Sequence, residues 1–414
     1  MTYRDLHIEP PREANAAAVE RWLADQAAAL ALPLSTIRRT LHQHPEMSSQ
    51  EESTAALVTG VLESLGIPIQ TGVAGHGVVG LLRGGRPGPT VALRADTDAL
   101  GIQDEKEVPY RSQVANVSHA CGHDCHTTAG LGAAILLSRL ADHLPGQVKF
   151  LFQPAEEQTG AGADQMVAAG VMDDPKVDAI FALHVQPHLR VGQVGVRRGV
   201  MMAAADLFTI EIDGQSGHAA RPDECIDPIL AAAQVVTALY QIIPRRISIH
   251  EPAVLTIGNL HSGISPNVIP AHATLSGTVR TLSDPVRRHV RAEMERVVDG
   301  VTRAMGAAYR FHYQNGAPPV INDGRLTTLF EAAAARVVGR ENVVEITEPS
   351  MGGDDFSYYL DHAPGVYFRL GTANDSQATH HPLHHACFDV DESALPLGAR
   401  LLAQTAWDFL SQGR

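Results

Sequence analysis

Four cysteines in 414 residues, Cys121, Cys125, Cys225 and Cys387, are far too few for a disulfide scaffold, so reduced thiols are expected. Paired C-x2-C knuckles, the mark of a structural zinc site, are absent. No apolar run reaches the roughly 18 residues that would argue for a membrane span. Cations are scarce: Lys and Arg number 32 against 46 Asp and Glu, a formal net charge of −14. That balance disfavours nucleic acid and an anionic membrane surface as partners, and an anionic ligand must be met by locally placed cations. The N-terminal stretch has acids early and lacks a basic region feeding an uninterrupted apolar core. No signal peptide is expected, and the cytoplasm is the default location. There is no low-complexity tract, short internal repeat or long unstructured linker.

What is present is apolar residue in ordinary globular proportion, 44%, in a chain too long for one comfortable core. Two domains are the starting expectation. Helical patterns over 14–44 and 50–65 precede short β-rich runs, of which TVALRAD (90–96) is the clearest. A helix over 127–144 and buried-type strands over 146–154 and 177–185 follow. Apolar strands alternating with helices predict an α/β unit with a mostly parallel sheet covered on both faces. Strands over 206–214, 253–260, 271–282 and 307–314, with helices over 227–243 and 284–305, read as β-α-β-β-α-β, the ferredoxin-like order. Helices near 325–339 and 392–411 resume the first pattern. The expected organisation is a discontinuous larger domain, 1–200 and 318–414, carrying an inserted ferredoxin-like domain, 201–317.

Ligand sites in parallel sheets lie beyond the C-terminal strand ends, and RAD, QPAEE and LHV each close a predicted strand. Cys121 and His123 stand one residue apart, Glu156 and Glu157 follow one strand, His184 ends another, and His384 lies far downstream. Thiolate, imidazole and carboxylate are the ligand types of zinc and its first-row neighbours. Of two adjacent carboxylates, one can bind metal while the other serves as general base toward water. Each residue has a plainer reading: a lone histidine is usually a satisfied core or surface residue, and paired glutamates are usually solvated. Cys125, Cys225 and Cys387 match no ligand pattern and read as packing thiols.

The motifs RRTLHQHPEMSSQE, ALRADTDAL, HACGHDCHTT, FQPAEE, LHV, GHAARP, SPNVIP with GTVRTL, GGDDFSYY and PLHHACF follow one another from about residue 38 onward. Together they resemble the M20 metallopeptidase superfamily, on its amidohydrolase branch of hippurate hydrolases, N-acyl-amino-acid amidohydrolases and auxin-conjugate hydrolases. The resemblance implies two divalent metal ions (Zn, Mn, Co or Ni) on Cys121, His123, Glu157, His184 and His384, with Glu156 as general base. For the last ligand, His380, His381 and His385 also stand nearby; LHHACF aligns His384 with the family pattern, with Ala386 where proline is usual. His218 is implied to polarise the scissile carbonyl across a dimer interface, and Asn267 and Arg280 to hold the substrate. A guanidinium on an anionic substrate suits an acidic protein. Asp96, Asp124 and His126 are candidates for outer hydrogen-bond partners of the ligands.

The implied activity is hydrolysis of N-acyl (acetyl, benzoyl or similar) amino acids to a carboxylic acid and a free amino acid. Alternatives are an M20-type dipeptidase or carboxypeptidase, and a non-catalytic binding protein, which would be expected to lack Glu156 or a ligand. The resemblance further implies a homodimer through the inserted domain or a higher homo-oligomer.

Overall fold

The computed structural model describes Pro11, residues 15–375 and residues 379–412. The start of the helical pattern at residue 14, and the first part of the N-terminal stretch read for a leader, lie outside them. The described chain up to Gly199, Ile321–Thr347 and the described chain from Tyr358 form one compact unit; Val200–Val320 and Glu348–Ser357 form a second. Residues 348–357 thus group with the second unit, although the sequence pattern runs them into the resumed α/β segment. Their contacts explain it: the Ala203 amide bonds the carbonyls of Ser350 and Gly352.

The first unit is built on an eight-stranded sheet. Pro145–Gln153, Arg86–Asp96, Ala179–Arg190 and Gly365–Ala373 form its parallel centre, and the hairpin Ile69–Val73/Gly77–Arg83 adds antiparallel strands at one edge. The central strands read as continuous apolar runs because both of their faces are covered. Val148, Phe150, Leu151 and Phe152 are all buried, as are all nine residues of Gly365–Ala373. The helix His123–Arg139 is buried from His123 to Leu137. Gly132 allows that: a Cβ there would stand 2.6 Å from the Cβ of Ala399 in the helix Ala394–Ser411.

Two expectations shift in detail. The helical pattern over 14–44 divides at Leu30 into Ala16–Ala29 and Ala31–Gln43. The strand expected to close at His184 runs on to Arg190, paired with Gly365–Ala373 through Arg369 beside His184. Asp96, by contrast, does end its strand, level with Gln153 at the end of the next.

The second unit holds a four-stranded antiparallel sheet in the order Ala253–Ser262, His272–Thr281, Ala204–Asp213, Ala308–Gln314. Its helices are Pro228–Leu239 and Asp284–Ala304. The first is started by Asp227, whose carboxylate accepts from the amides of Ile229 and Leu230, with Pro228 in the first turn, where its missing N–H costs nothing. Val286, Val290, Met294 and Val298, spaced by four on the second, pack into the core under the sheet. This is the β-α-β-β-α-β order of a ferredoxin-like domain.

Candidate metal centre

The first unit gathers its candidate ligands from separate elements. Gly122, at φ 87°, precedes the helix that begins with His123, and the turn places Cys121 and His123 on the same side. Ala155, at φ 55°, turns the chain after the strand Pro145–Gln153 so that Glu156 and Glu157 follow as half-buried residues. Its amide is held by the buried Glu51 carboxylate at 2.8 Å. His384 also has a left-handed backbone, φ 64°, and its amide bonds the Ala120 carbonyl at 2.8 Å.

Donor atoms of Cys121, His123 and His184 lie within 4.8 Å of one another, and the same holds for Cys121, Glu157 and His384 and for His123, Glu156 and Glu157. Cys121 Sγ is 3.4 Å from His184 Nε2, and His384 Nε2 is 3.4 Å from Glu157 Oε1. His381, His385 and Cys387 form a separate cluster.

Hydrogen bonds decide which nitrogens face the centre. His123 Nδ1 bonds Asp98 at 3.1 Å, and its Nε2 is buried with no hydrogen-bond partner. His184 Nδ1 donates to the Val185 carbonyl at 2.8 Å, so Nε2 carries the lone pair toward Cys121. His126 is committed at both ends: Nε2 accepts from the Val185 amide at 3.0 Å and Nδ1 donates to Asp96 at 2.5 Å. It braces the strand that carries His184 and has no lone pair left to offer a metal. Burial lowers the pKa of His184 well below the usual imidazole range, helped by His126 and Arg369, and burial lowers that of His126. Both are therefore neutral. Burial opposes charge on His123, but Asp96, Cys121 and Asp98 outweigh it and raise its pKa. Burial also raises the pKa of Cys121; a cation at the sulfur favours the thiolate instead. A neutral His184 with its Nε2 aimed at Cys121, an unpartnered buried Nε2 on His123, whose proton a cation would displace, a thiol and a carboxylate fit a divalent transition ion.

The outer partners differ from expectation. The side chain bonded to His123 is Asp98, two residues beyond Asp96 in the ALRADTDAL motif. Its other oxygen accepts from the Glu157 amide at 3.0 Å and from Ser48 at 2.7 Å. Asp96 serves His126 and Arg94 instead. Asp124 accepts from Arg38 Nε at 2.8 Å and His42 Nδ1 at 2.7 Å. The helical spacing of Arg38 and His42, on a face where Leu34, Ile37 and Leu41 are also buried, was the available signal for this cluster.

Asp104 belongs to the same buried cluster. It lies 3.3 Å from His42 Nε2 and accepts from the amides of Lys106 and Ser112, each at 3.0 Å. Burial opposes its ionisation, but His42, the two amides and the Lys106 ammonium prevail and hold its pKa well below the usual carboxylate range. A depressed folded-state value means stability that is complete above the unfolded pKa, near ~4, and lost as pH falls below it. Asp104→Asn should cost about 1–3 kcal/mol at pH 7 and flatten the loss of stability below pH ~4, read by denaturant unfolding across pH.

The remaining candidates belong to the second unit. His218, exposed, pairs with Val268 in the ribbon Gly217–His218/Val268–Ile269, and the Ala219 amide bonds the Asn267 carbonyl, which brings His218 and Asn267 together. His218 Nδ1 accepts from the Ala220 amide at 3.0 Å, which leaves Nε2 as the protonated nitrogen of the neutral ring. Arg280 stands on His272–Thr281, and a Cβ built at Gly353 would lie 3.5 Å from its guanidinium, so the GGDD turn runs against it.

An α/β sheet whose strands, turns and helix start gather such a donor cluster is the frame of a metallohydrolase, and the comparisons agree. The sequence pattern of Peptidase family M20/M25/M40 matches residues 92–408, and the chain belongs to that family, on its amidohydrolase branch. It is 40% identical to Thermostable carboxypeptidase 2 of Saccharolobus solfataricus, over 90% of this chain and 94% of that one. It is likewise 40% identical to N-acetyl-L-cysteine deacetylase of Bacillus subtilis, over 89% of this chain and 86% of that one. Among solved structures, Bacillus subtilis YXEP, described as a dinuclear metal binding peptidase from the M20 family, superposes with a TM-score of 0.79 at 37% identity, covering 92% of this chain and 99% of that one. No helix among the described residues is long and apolar enough to cross a membrane.

Proposed function

We propose that this metal-dependent hydrolase cleaves the amide bond of N-acyl amino acids, releasing a carboxylic acid and a free amino acid. The observation that carries the reading is the convergence of Cys121, His123, Glu156, Glu157, His184 and His384 in overlapping groups of ligand-forming size. Cys121, His123, Glu157, His184 and His384 would hold two divalent ions from among zinc, manganese, cobalt and nickel, which when bound would supply Lewis acidity and lower the pKa of water. Glu156 accepts the proton of the attacking water and passes it to the departing amine nitrogen. His218 Nε2–H donates to the carbonyl oxygen, where negative charge develops. Arg280 takes the α-carboxylate with two parallel bonds, and Asn267 adds an amide donor. Asp98 and His126 orient the ligands, with Asp96 behind His126.

We further propose that the first unit is the catalytic domain and the second a lid and homodimer surface, through which His218 acts in the partner's site, and that the protein works in the cytoplasm. The 40% identity to a protein named carboxypeptidase favours one second reading, cleavage of a C-terminal peptide bond. A panel of N-acetyl and N-benzoyl amino acids beside unblocked dipeptides and short peptides, with zinc, manganese or cobalt added back, separates the two. Faster turnover of the N-acyl amino acids supports the first reading; turnover of peptides alone replaces it by the second. Arg280→Ala should raise KM about tenfold or more with a smaller effect on kcat, since a bidentate charged contact is worth about 1.5–3 kcal/mol.

A further inference from the structure

The Arg38 side chain is fully buried, and its guanidinium reaches two segments that are remote in sequence. Nε donates to Asp124 at 2.8 Å, one residue beyond His123. NH2 donates to Asp389 at 2.8 Å, five residues beyond His384, and NH1 lies 3.4 Å from Glu392. The other Asp389 oxygen accepts from Tyr110 at 2.8 Å, and the Tyr110 ring lies 4.9 Å from the guanidinium carbon. Two more contacts join the same segments. The His384 amide bonds the Ala120 carbonyl, and Phe388 packs so closely over Gly122 that a Cβ there would stand 3.5 Å from its ring. His384 itself is half exposed, while its loop is anchored in the core by Phe388 and Val390, with Leu383 packed against it.

We propose that Arg38 is a positioning residue, a buried clamp that fixes the His384 loop against the Cys121–Asp124 segment and so sets the affinity of the ion shared by Cys121, Glu157 and His384. The proposal rests on the metal-dependent reading above. His123 and His184 are held independently, by Asp98 and by the Val185 carbonyl, so an ion on Cys121, His123 and His184 does not depend on the clamp. A planar guanidinium is suited to this because it can serve two carboxylates at fixed angles, which an ammonium cannot. Losing Arg38 outright removes the cation shared by the buried carboxylates of Asp124 and Asp389, which threatens the fold. The informative changes are therefore Arg38→Lys, which keeps the charge, and Asp389→Asn, which leaves Asp124 and Glu392 to satisfy Arg38.

The test titrates metal-free full-length protein with cobalt(II) against a chromophoric chelator, alongside thermal unfolding of the metal-free form. Wild type is expected to take two ions. Both variants should take the first with wild-type affinity and the second about tenfold to a hundredfold more weakly. Turnover of the variants should fall at limiting cobalt and recover with excess. Two ions bound by the variants with wild-type affinity, or both ions weakened equally, overturns the clamp alone; a wild type that takes up no ion overturns the underlying reading as well. Should Arg38→Lys fail to fold, Asp389→Asn decides between these outcomes.

Discussion

Glu156→Gln is expected to leave metal uptake and folding unchanged and to lower kcat by about two to four orders of magnitude, the range that a positioned general base, the role proposed for Glu156, contributes. The substitution keeps shape and hydrogen bonding while removing the group that accepts a proton. Glu156 is half buried, follows the left-handed turn at Ala155, and offers an oxygen within 4.8 Å of donor atoms on His123 and Glu157. Elemental analysis with steady-state kinetics on one N-acyl amino acid checks it. Comparable turnover in wild type and variant would sink Glu156 as the base; lost metal would mean that it is a ligand. Glu157→Gln provides the contrast, because a ligand change should lower metal affinity first and turnover through it.

Gly122→Ala is expected to destabilise the protein by about 2–5 kcal/mol, from two sources that act together. A left-handed backbone costs an L-residue about 1–2 kcal/mol, and forcing a methyl into a packed interior costs about 1–3 more. Gly122 has φ 87°, and its Cβ would stand 2.4 Å from Cγ2 of Val185. Val185 is fully buried on the strand that carries His184, and its carbonyl and amide hold His184 and His126. Relief of the clash must therefore displace either the Cys121–His123 turn or the His184 strand. Denaturant unfolding should show the loss in metal-free protein, and added cobalt should recover less stability than in wild type. An unchanged midpoint would mean that the turn relaxes without cost.

The family resemblance was legible because its motifs are local: each lies on one strand end, turn or helix start, and their order along the chain is independent of the fold. The ferredoxin-like order was legible for a similar reason, since alternating and four-spaced apolar patterns separate strand from helix without tertiary context. Residues 348–357 show where that reading ends. Nothing in SMGGDDFS marks its attachment to the chain at Ala203, which rests on backbone bonds to Ser350 and Gly352.

By itself the sequence determined which side chains could act: thiol, imidazoles and paired carboxylates, in a family order that names the chemistry. Tertiary structure decided which of them serve which. Asp98 rather than Asp96 bonds His123, His126 is spent on Asp96 and the Val185 amide, and Asp124 belongs with Arg38 and His42. The physical reason is that hydrogen bonding depends on direction and on a few ångströms between residues tens to hundreds of positions apart. Arg38 and Asp389 are 351 residues apart in sequence and 2.8 Å apart in the fold.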